Sequence, residues 1–329
     1  MPFPERGLDE NFFSAGVSGF GEEFRLVEKP SQVEADGVSK PMKQTSPLWR
    51  SCAAAVALAP ALSQAAVLSH DSFSGYTAGE IQAVVPSPAV AGYTGNWTDV
   101  DFGDAEPSIT AGSLTYGDAL YAGSSGDKVS VANNTTGGEI TAANSGRVFR
   151  TLDSTLAVAD STTGSLYMSF LFQSGQETGA TTYQMLSLYN ATTSDPNRNF
   201  DIGLTTNGGQ SGTAYNFGVD NTYTTTGVAA NTTVHLFVVK FDLSAVAGAD
   251  SVTVWVDPTL GGGDPTGGVT VTGKTLTWDR LTFSDYEGNS AAWDEVRWGT
   301  DFNSVTVPEP TSAMLGSFGV LALLRRRRK

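Results

Sequence analysis

The chain has 329 residues, a net charge of −15, one cysteine and two histidines. One cysteine excludes an intramolecular disulfide and a cysteine zinc cluster, and two histidines leave little room for a histidine metal site or a catalytic triad. Charged residues make up only 16% of the chain while glycine alone contributes 37 positions, a profile that suits a turn-rich β-protein. The acidic excess also repels phosphate and so excludes nucleic acid as a partner.

Residues 1–41 are polar and mixed in charge, and are expected to form a disordered extension outside the fold. A complete export signal follows over 42–65. Lys43 and Arg50 supply its positive segment, Cys52 to Leu62 its short apolar run, and Ser63-Gln64-Ala65 its small-x-small pattern, so cleavage is expected at Ala65 or Ala66. Because such a signal normally begins a chain, Met42 is the expected start of translation and 1–41 a mis-assigned extension. The apolar run is too short to span a bilayer. Cys52 stands at the start of that run instead of following it, which argues against a lipid anchor.

Residues 66–306 read as one all-β domain, an antiparallel β-sandwich of the jelly-roll kind. Short apolar or alternating runs are punctuated by Gly, Asn, Asp, Ser and Thr, with no sustained helical stripe. Ser165 to Phe172 alternates, placing Leu166, Met168, Phe170 and Phe172 on one face. Tyr183 to Tyr189 is a second strand. Thr233 to Asp242 is a long apolar strand expected to be buried on both faces. Ser251 to Asp257 sets Val252, Val254 and Val256 against Thr253 and Trp255, and Thr275 to Trp278 and Trp293 to Trp298 supply two more strands.

The tail has three parts: Pro308-Glu309-Pro310, an apolar run over 311–324, and Arg325, Arg326, Arg327, Arg328 and Lys329. The run is expected to form a short transmembrane helix, below the roughly 20 residues a stable span needs, with the basic block held on the cytoplasmic side. This order of parts resembles the PEP-CTERM sorting signal of Gram-negative bacteria. The resemblance implies transient anchoring in the inner membrane, an exosortase-type membrane peptidase as partner, and delivery to the cell envelope or extracellular matrix.

Other stretches resemble laminin-G-like and concanavalin-A-like jelly rolls: Asp71-Ser72-Phe73 with Gly75-Tyr76 and Gly79, His235 to Asp242, Val254 to Pro258 before Gly261-Gly262-Gly263, and Trp293 to Thr300. That resemblance implies lectin-like or adhesive modules, with some glycosidases among them, and a bound Ca²⁺ in many. Asp71 near the first strand and Asp294 on the last are the candidate Ca²⁺ ligands, since the ends of such a sandwich usually pair. For a glycan such as exopolysaccharide, the candidate stacking aromatics are Trp97, Trp255, Tyr183, Tyr215 and Tyr223, whereas Trp278, Trp293 and Trp298 sit where core packing is the default.

No catalytic residue is assigned. Glycosidases need two carboxylates facing one bond. Asp294 and Glu295 are adjacent and should point to opposite faces of a strand, while Asp285 and Glu287 run into the Gly288-Asn289 turn. His235 lies in an apolar strand and reads as a packed residue, and His70 lies near the start of the mature chain. There is no G-x-S-x-G elbow, P-loop or H-E-x-x-H. The Asn-x-Ser/Thr sequences at Asn96, Asn133, Asn134, Asn190 and Asn231 read as incidental in a bacterial chain rich in Asn and Thr. The expected function is therefore a non-enzymatic, exported, adhesive or polysaccharide-binding protein; the alternative is a glycosidase on the same fold.

Overall fold

The computed structural model describes residues 66–100, 106–121, 126–131, 146–175, 183–193, 197–286 and 290–306. The expected export signal, most of its cleavage junction and the sorting tail lie outside the described residues. Among the described residues no helix is long and apolar enough to cross a membrane. In chain order the strands are β1 (Val67–Asp71), β2 (Gly79–Glu80), β3 (Tyr93–Asp99), β4 (Ser108–Ala111), β5 (Asp127–Val131), β6 (Gly146–Leu152), β7 (Gly164–Ser174), β8 (Tyr183–Tyr189), β9 (Arg198–Thr205), β10 (Ala214–Val219), β11 (Thr222–Ala229), β12 (His235–Leu243), β13 (Asp250–Val256), β14 (Val269–Lys274), β15 (Arg280–Tyr286) and β16 (Ala291–Gly299), followed by the helix α1 (Phe302–Thr306).

These strands build two antiparallel sheets. One has nine strands in the order β14-β13-β12-β7-β16-β5-β4-β2, with β1 also paired to β16; the other has seven in the order β11-β10-β9-β8-β15-β6-β3. The alternating side chains explain the packing. Leu166, Met168, Phe170 and Phe172 of β7, Phe237, Val239 and Phe241 of β12, and Val252 and Val254 of β13 all point inward. They meet Leu186 and Leu188 of β8, Phe200, Ile202 and Leu204 of β9, and Leu281 and Phe283 of β15 from the other sheet. This inter-sheet core holds the stacked pair Phe170–Phe237, with ring centroids 5.2 Å apart. Trp278, Trp293 and Trp298 are buried in the same core, as expected.

The nine-stranded sheet is apolar on its outer face as well. Tyr167, Leu171, Leu236, Val238, Trp255 and Ala292 form a second cluster there, roofed by Leu114 and Tyr121, by Leu260, and by Phe302 and Val305 of α1. The long strand over 233–242 is thus buried on both sides because three separate segments fold back over it. From Leu166 to Phe172 each residue of β7 paired with β12 is buried, on the inner or the outer side in turn.

One expected strand is absent. Thr275 to Trp278 makes only an isolated bridge, Val158 to Trp278. Side chains replace a neighbouring strand here: Asp250 accepts the Leu276 N–H at 2.7 Å and Asn199 accepts the Thr277 N–H at 3.2 Å.

Glycine is required where backbones crowd. Gly203 has φ +148° in the middle of the seven-stranded sheet, and a Cβ there would run into the Gln184 carbonyl on β8. Replacing Gly203 with Ala should cost about 2 kcal/mol or more, from the backbone conformation and the overpacking together. A lower midpoint in urea unfolding at unchanged slope is the expected result.

Candidate functional site

β1 pairs with β16, as expected for the ends of the sandwich, with Asp71 opposite Val296. The two candidate Ca²⁺ ligands nevertheless lie on opposite faces of the nine-stranded sheet. Asp71 faces the inter-sheet core, where its carboxylate accepts the Phe73 N–H at 2.9 Å and the Tyr76 hydroxyl at 3.0 Å, with Arg150 4.0 Å away. Asp294 sits opposite Leu171 on the outer face. It accepts the Ser113 hydroxyl, the Leu114 N–H at 2.8 Å and the Glu295 N–H at 2.7 Å. One ion cannot reach both, and no group of three or more His, Cys, Asp or Glu side chains suited to a metal occurs among the described residues. The residues present do not fit the Ca²⁺ expectation.

β16 also corrects the expectation that Asp294 and Glu295 diverge. Glu295 has φ +54°, and the register with β7 shifts between Asp294 and Arg297, which marks a β-bulge. The bulge brings the Glu295 carboxylate to the outer side with Arg297, which donates to it at 2.7 Å, while His70 lies 2.6 Å away. Arg297 in turn lies over the Tyr121 ring at 4.6 Å. Two carboxylates side by side with different environments are what an acid–base pair requires. Burial pushes Asp294 up to about 7 against the hydrogen bonds from Ser113 and Leu114. Burial also pushes at Glu295, but the hydrogen bonds from His70 and Arg297 outweigh it and hold that carboxyl below its usual value. Both groups are sealed, with residues 0% and 1% exposed. Their contacts clamp the 113–121 segment onto the sheet, so no substrate bond can sit between them.

His235 is likewise held in place. Its Nδ1 is 2.6 Å from Asp257 Oδ2 and its Nε2 is 3.0 Å from Asn231 Oδ1. Asp257 also accepts the Leu236 N–H at 2.9 Å. Of the candidate stacking aromatics, Trp97 is in the core, stacked on Phe283 at 5.3 Å, and Tyr215 is fully buried beside Phe172. Tyr183 is buried on the outer side of the seven-stranded sheet, where Arg198 lies 5.3 Å from its ring and 3.3 Å from Asp201. Tyr223 is half-buried and donates to Asp201 at 2.7 Å. The absence of a Cβ at Gly218 makes room for that carboxylate. Asp285 is buried in β15, and Glu287 lies outside the described residues. Asn96, Asn190 and Asn231 each hold neighbouring loop groups by hydrogen bonds.

Trp255, 7% exposed, is the candidate that lines a cavity with the small part of its ring left uncovered. A cavity of about 600 Å³ is enclosed by the end of β13, the 257–267 loop and Thr226 and Val228 of β11. The loop is pinned rather than floppy: Trp255 Nε1 donates to the Pro265 carbonyl at 3.0 Å, Tyr167 donates to Asp264 at 2.9 Å, and Lys240 bridges Asp242 and Asp264 at 3.2 Å each. Gly261-Gly262-Gly263 leave the backbone of the cavity wall bare of side chains. The carboxylates of Asp257 and Asp264 are 36% and 41% exposed. The site thus combines the exposed edge of an indole, bare amides and carbonyls, and two acceptor carboxylates. A second cavity of about 550 Å³ beside Asp160, Asn190 and Asp279 has Trp278 as its aromatic, but that ring is 1% exposed.

No protein-family model matches this chain, and no curated protein does. Among solved structures, a botulinum neurotoxin type C whose uptake into cells depends on interaction with two ganglioside molecules is 10% identical, with a TM-score of 0.40 over 69% of this chain and 48% of that one. The binding domain of botulinum neurotoxin DC in complex with rat synaptotagmin II gives 10% identity and a TM-score of 0.39 over 69% of this chain and 48% of that one. The same domain in complex with SialylT gives 10% and 0.38 over the same shares. The chain spans about half the length of these structures, and at such scores the likeness carries no argument about function.

The Asp294 environment predicts a pH dependence. Its folded-state carboxyl is raised from 3.8 to about 7, so between those values the folded protein holds a proton that the unfolded chain has released. Stability must then fall as pH rises through that window. Thermal unfolding of the native chain should lose midpoint from about pH 4 to pH 7 relative to Asp294→Asn, and the two curves should run parallel above about pH 8; parallel curves throughout would contradict the buried, protonated carboxyl.

Proposed function

We propose that this chain is an exported bacterial envelope or extracellular-matrix protein that binds polysaccharide without cleaving it. The sandwich is read as a jelly roll of the laminin-G-like or concanavalin-A-like type, and the tail as a PEP-CTERM sorting signal handled by an exosortase-type membrane peptidase. The observation that carries the binding reading is the cavity at the 257–267 loop. Sugars bind by offering hydroxyls to carboxylates and backbone groups beside an apolar surface, and Asp257, Asp264 and the glycine run supply the polar partners with the exposed edge of Trp255 as the apolar one. The non-enzymatic reading is supported by where the titratable groups lie. Both histidines and the Asp294–Glu295 pair are engaged in hydrogen bonds that hold loops to strands. The export reading is supported by the Lys43 to Ala65 segment and by the order Pro308-Glu309-Pro310, apolar run, basic block.

A glycan array beside a reducing-sugar assay tests binding and cleavage together. Retention of a polysaccharide with no release of reducing ends is expected, and release would favour a glycosidase. In the same array Asp257→Asn should weaken retention about tenfold or more, since a hydrogen bond to a charged group contributes about 1.5–3 kcal/mol. Cell fractionation tests the export reading: full-length product, uncut at either end, dissolved in the cytoplasm would overturn it.

A further inference from the structure

The chain leaves the fold from a fixed point. α1 is not a loose linker: Phe302 packs its ring against Trp255 with centroids 6.2 Å apart, and Ser169 of β7 donates to the Val305 carbonyl at 2.6 Å. The Thr306 hydroxyl donates to the Phe302 carbonyl at 2.8 Å, and Thr306 is 0% exposed. Asp301 and Ser304 close the turn before the helix, with Ser304 N–H donating to Asp301 at 2.8 Å. Thr306 is therefore seated on the outer face of the nine-stranded sheet, over β7, β12 and β16.

Residues 307–310, two of them proline, separate this seat from the apolar run that begins at Thr311. Fully extended, that stretch reaches at most about 18 Å. The seven-stranded sheet lies a full layer further away, roughly 10 Å beyond the nine-stranded one. We infer that, while the tail is held in the bilayer, the sandwich stands with α1 and the outer face of the nine-stranded sheet toward the lipid surface and the seven-stranded sheet turned away. The inference rests on the reading of 311–324 as a membrane segment.

The loops of the membrane-facing side share this placement. Leu120, 48% exposed, contacts the 257–267 loop near Gly261. That side carries Asp118, Asp257 and Asp264, so it has no electrostatic attraction for anionic headgroups. The orientation comes from the shortness of the tether and the docking of α1, and lengthening the tether must abolish it.

The full chain carrying Cys52→Ser tests this in vesicles with a headgroup-labelled acceptor lipid. A donor dye is attached at Leu120→Cys in one variant and at Thr98→Cys, exposed on β3 of the far sheet and away from the 257–267 loop, in another. Energy transfer is expected to be several-fold stronger from position 120 than from position 98. Ten Gly/Ser residues inserted between Thr306 and Val307 should bring the two signals together. Equal transfer in the unextended chain, stronger transfer from position 98, or a difference that survives the insertion would overturn the orientation. Failure of the chain to float with vesicles would overturn the membrane reading of the tail, and the orientation with it.

Discussion

The structure depends on keeping water off both faces of the nine-stranded sheet. β7 and β12 carry apolar side chains on each side, so a two-layer sandwich alone would leave Leu171, Leu236 and Val238 bare. Burying such side chains contributes about 1.5–3 kcal/mol each, which is enough to draw three otherwise unrelated segments over the sheet. The 113–121 segment, the 257–267 loop and α1 owe their positions to this demand. The hydrogen bonds of Asp294, Tyr167 and Ser169 then give each segment a single seat.

The bulge at Glu295 belongs to the same constraint. A regular strand would send Asp294 and Glu295 to opposite faces and place an ionised carboxylate in the inter-sheet core. The left-handed residue avoids that cost by putting both acids on the outer side, where Arg297, His70 and the Leu114 amide meet them. Burying a charge is tolerable only with partners of this kind. The resulting cluster resembles an acid–base pair in composition, but its geometry is that of a rivet between loop and strand.

Much of the architecture was legible in residue patterns. The alternation over 165–172 and 251–257 and the unbroken apolar run over 233–242 give the correct faces, because side-chain direction along a strand follows from backbone geometry alone. The pairing of β1 with β16 also follows from the expected sandwich. The strands β3 to β6, β9 to β11, β14 and β15 are not legible in the same way: β10 and β11 are rich in Gly, Asn and Thr, β6, β9 and β15 carry Arg or Asp among their apolar positions, and their pairing is imposed by neighbours instead of by local preference. Thr275 to Trp278 failed for the opposite reason: it has a strand-like composition, but Asp250 and Asn199 take its amides. Of the five aromatics proposed for stacking, Trp255 alone lines the larger cavity. Nothing in the sequence separates it from Trp97, since both lie in alternating runs and only the tertiary fold decides which ring meets the inter-sheet core. The Asp71–Asp294 expectation failed because strand pairing predicts adjacency along a sheet and says nothing about which face each carboxylate takes.

The roof gives the cavity and the chain's exit a common origin. The loop that walls the cavity is held by Asp264 on Tyr167 and Lys240, and α1 is held by Phe302 on Trp255, the same indole that lines the cavity. Trp255 therefore borders the cavity on one side and the seat of α1 on the other. A side chain so placed cannot shift for one neighbour without disturbing the other, because close-packed interiors transmit displacement instead of absorbing it. The wall of the cavity and the seat of α1 are thus packed against one ring, which is why the outer layer of this sandwich, more than its core, fixes both.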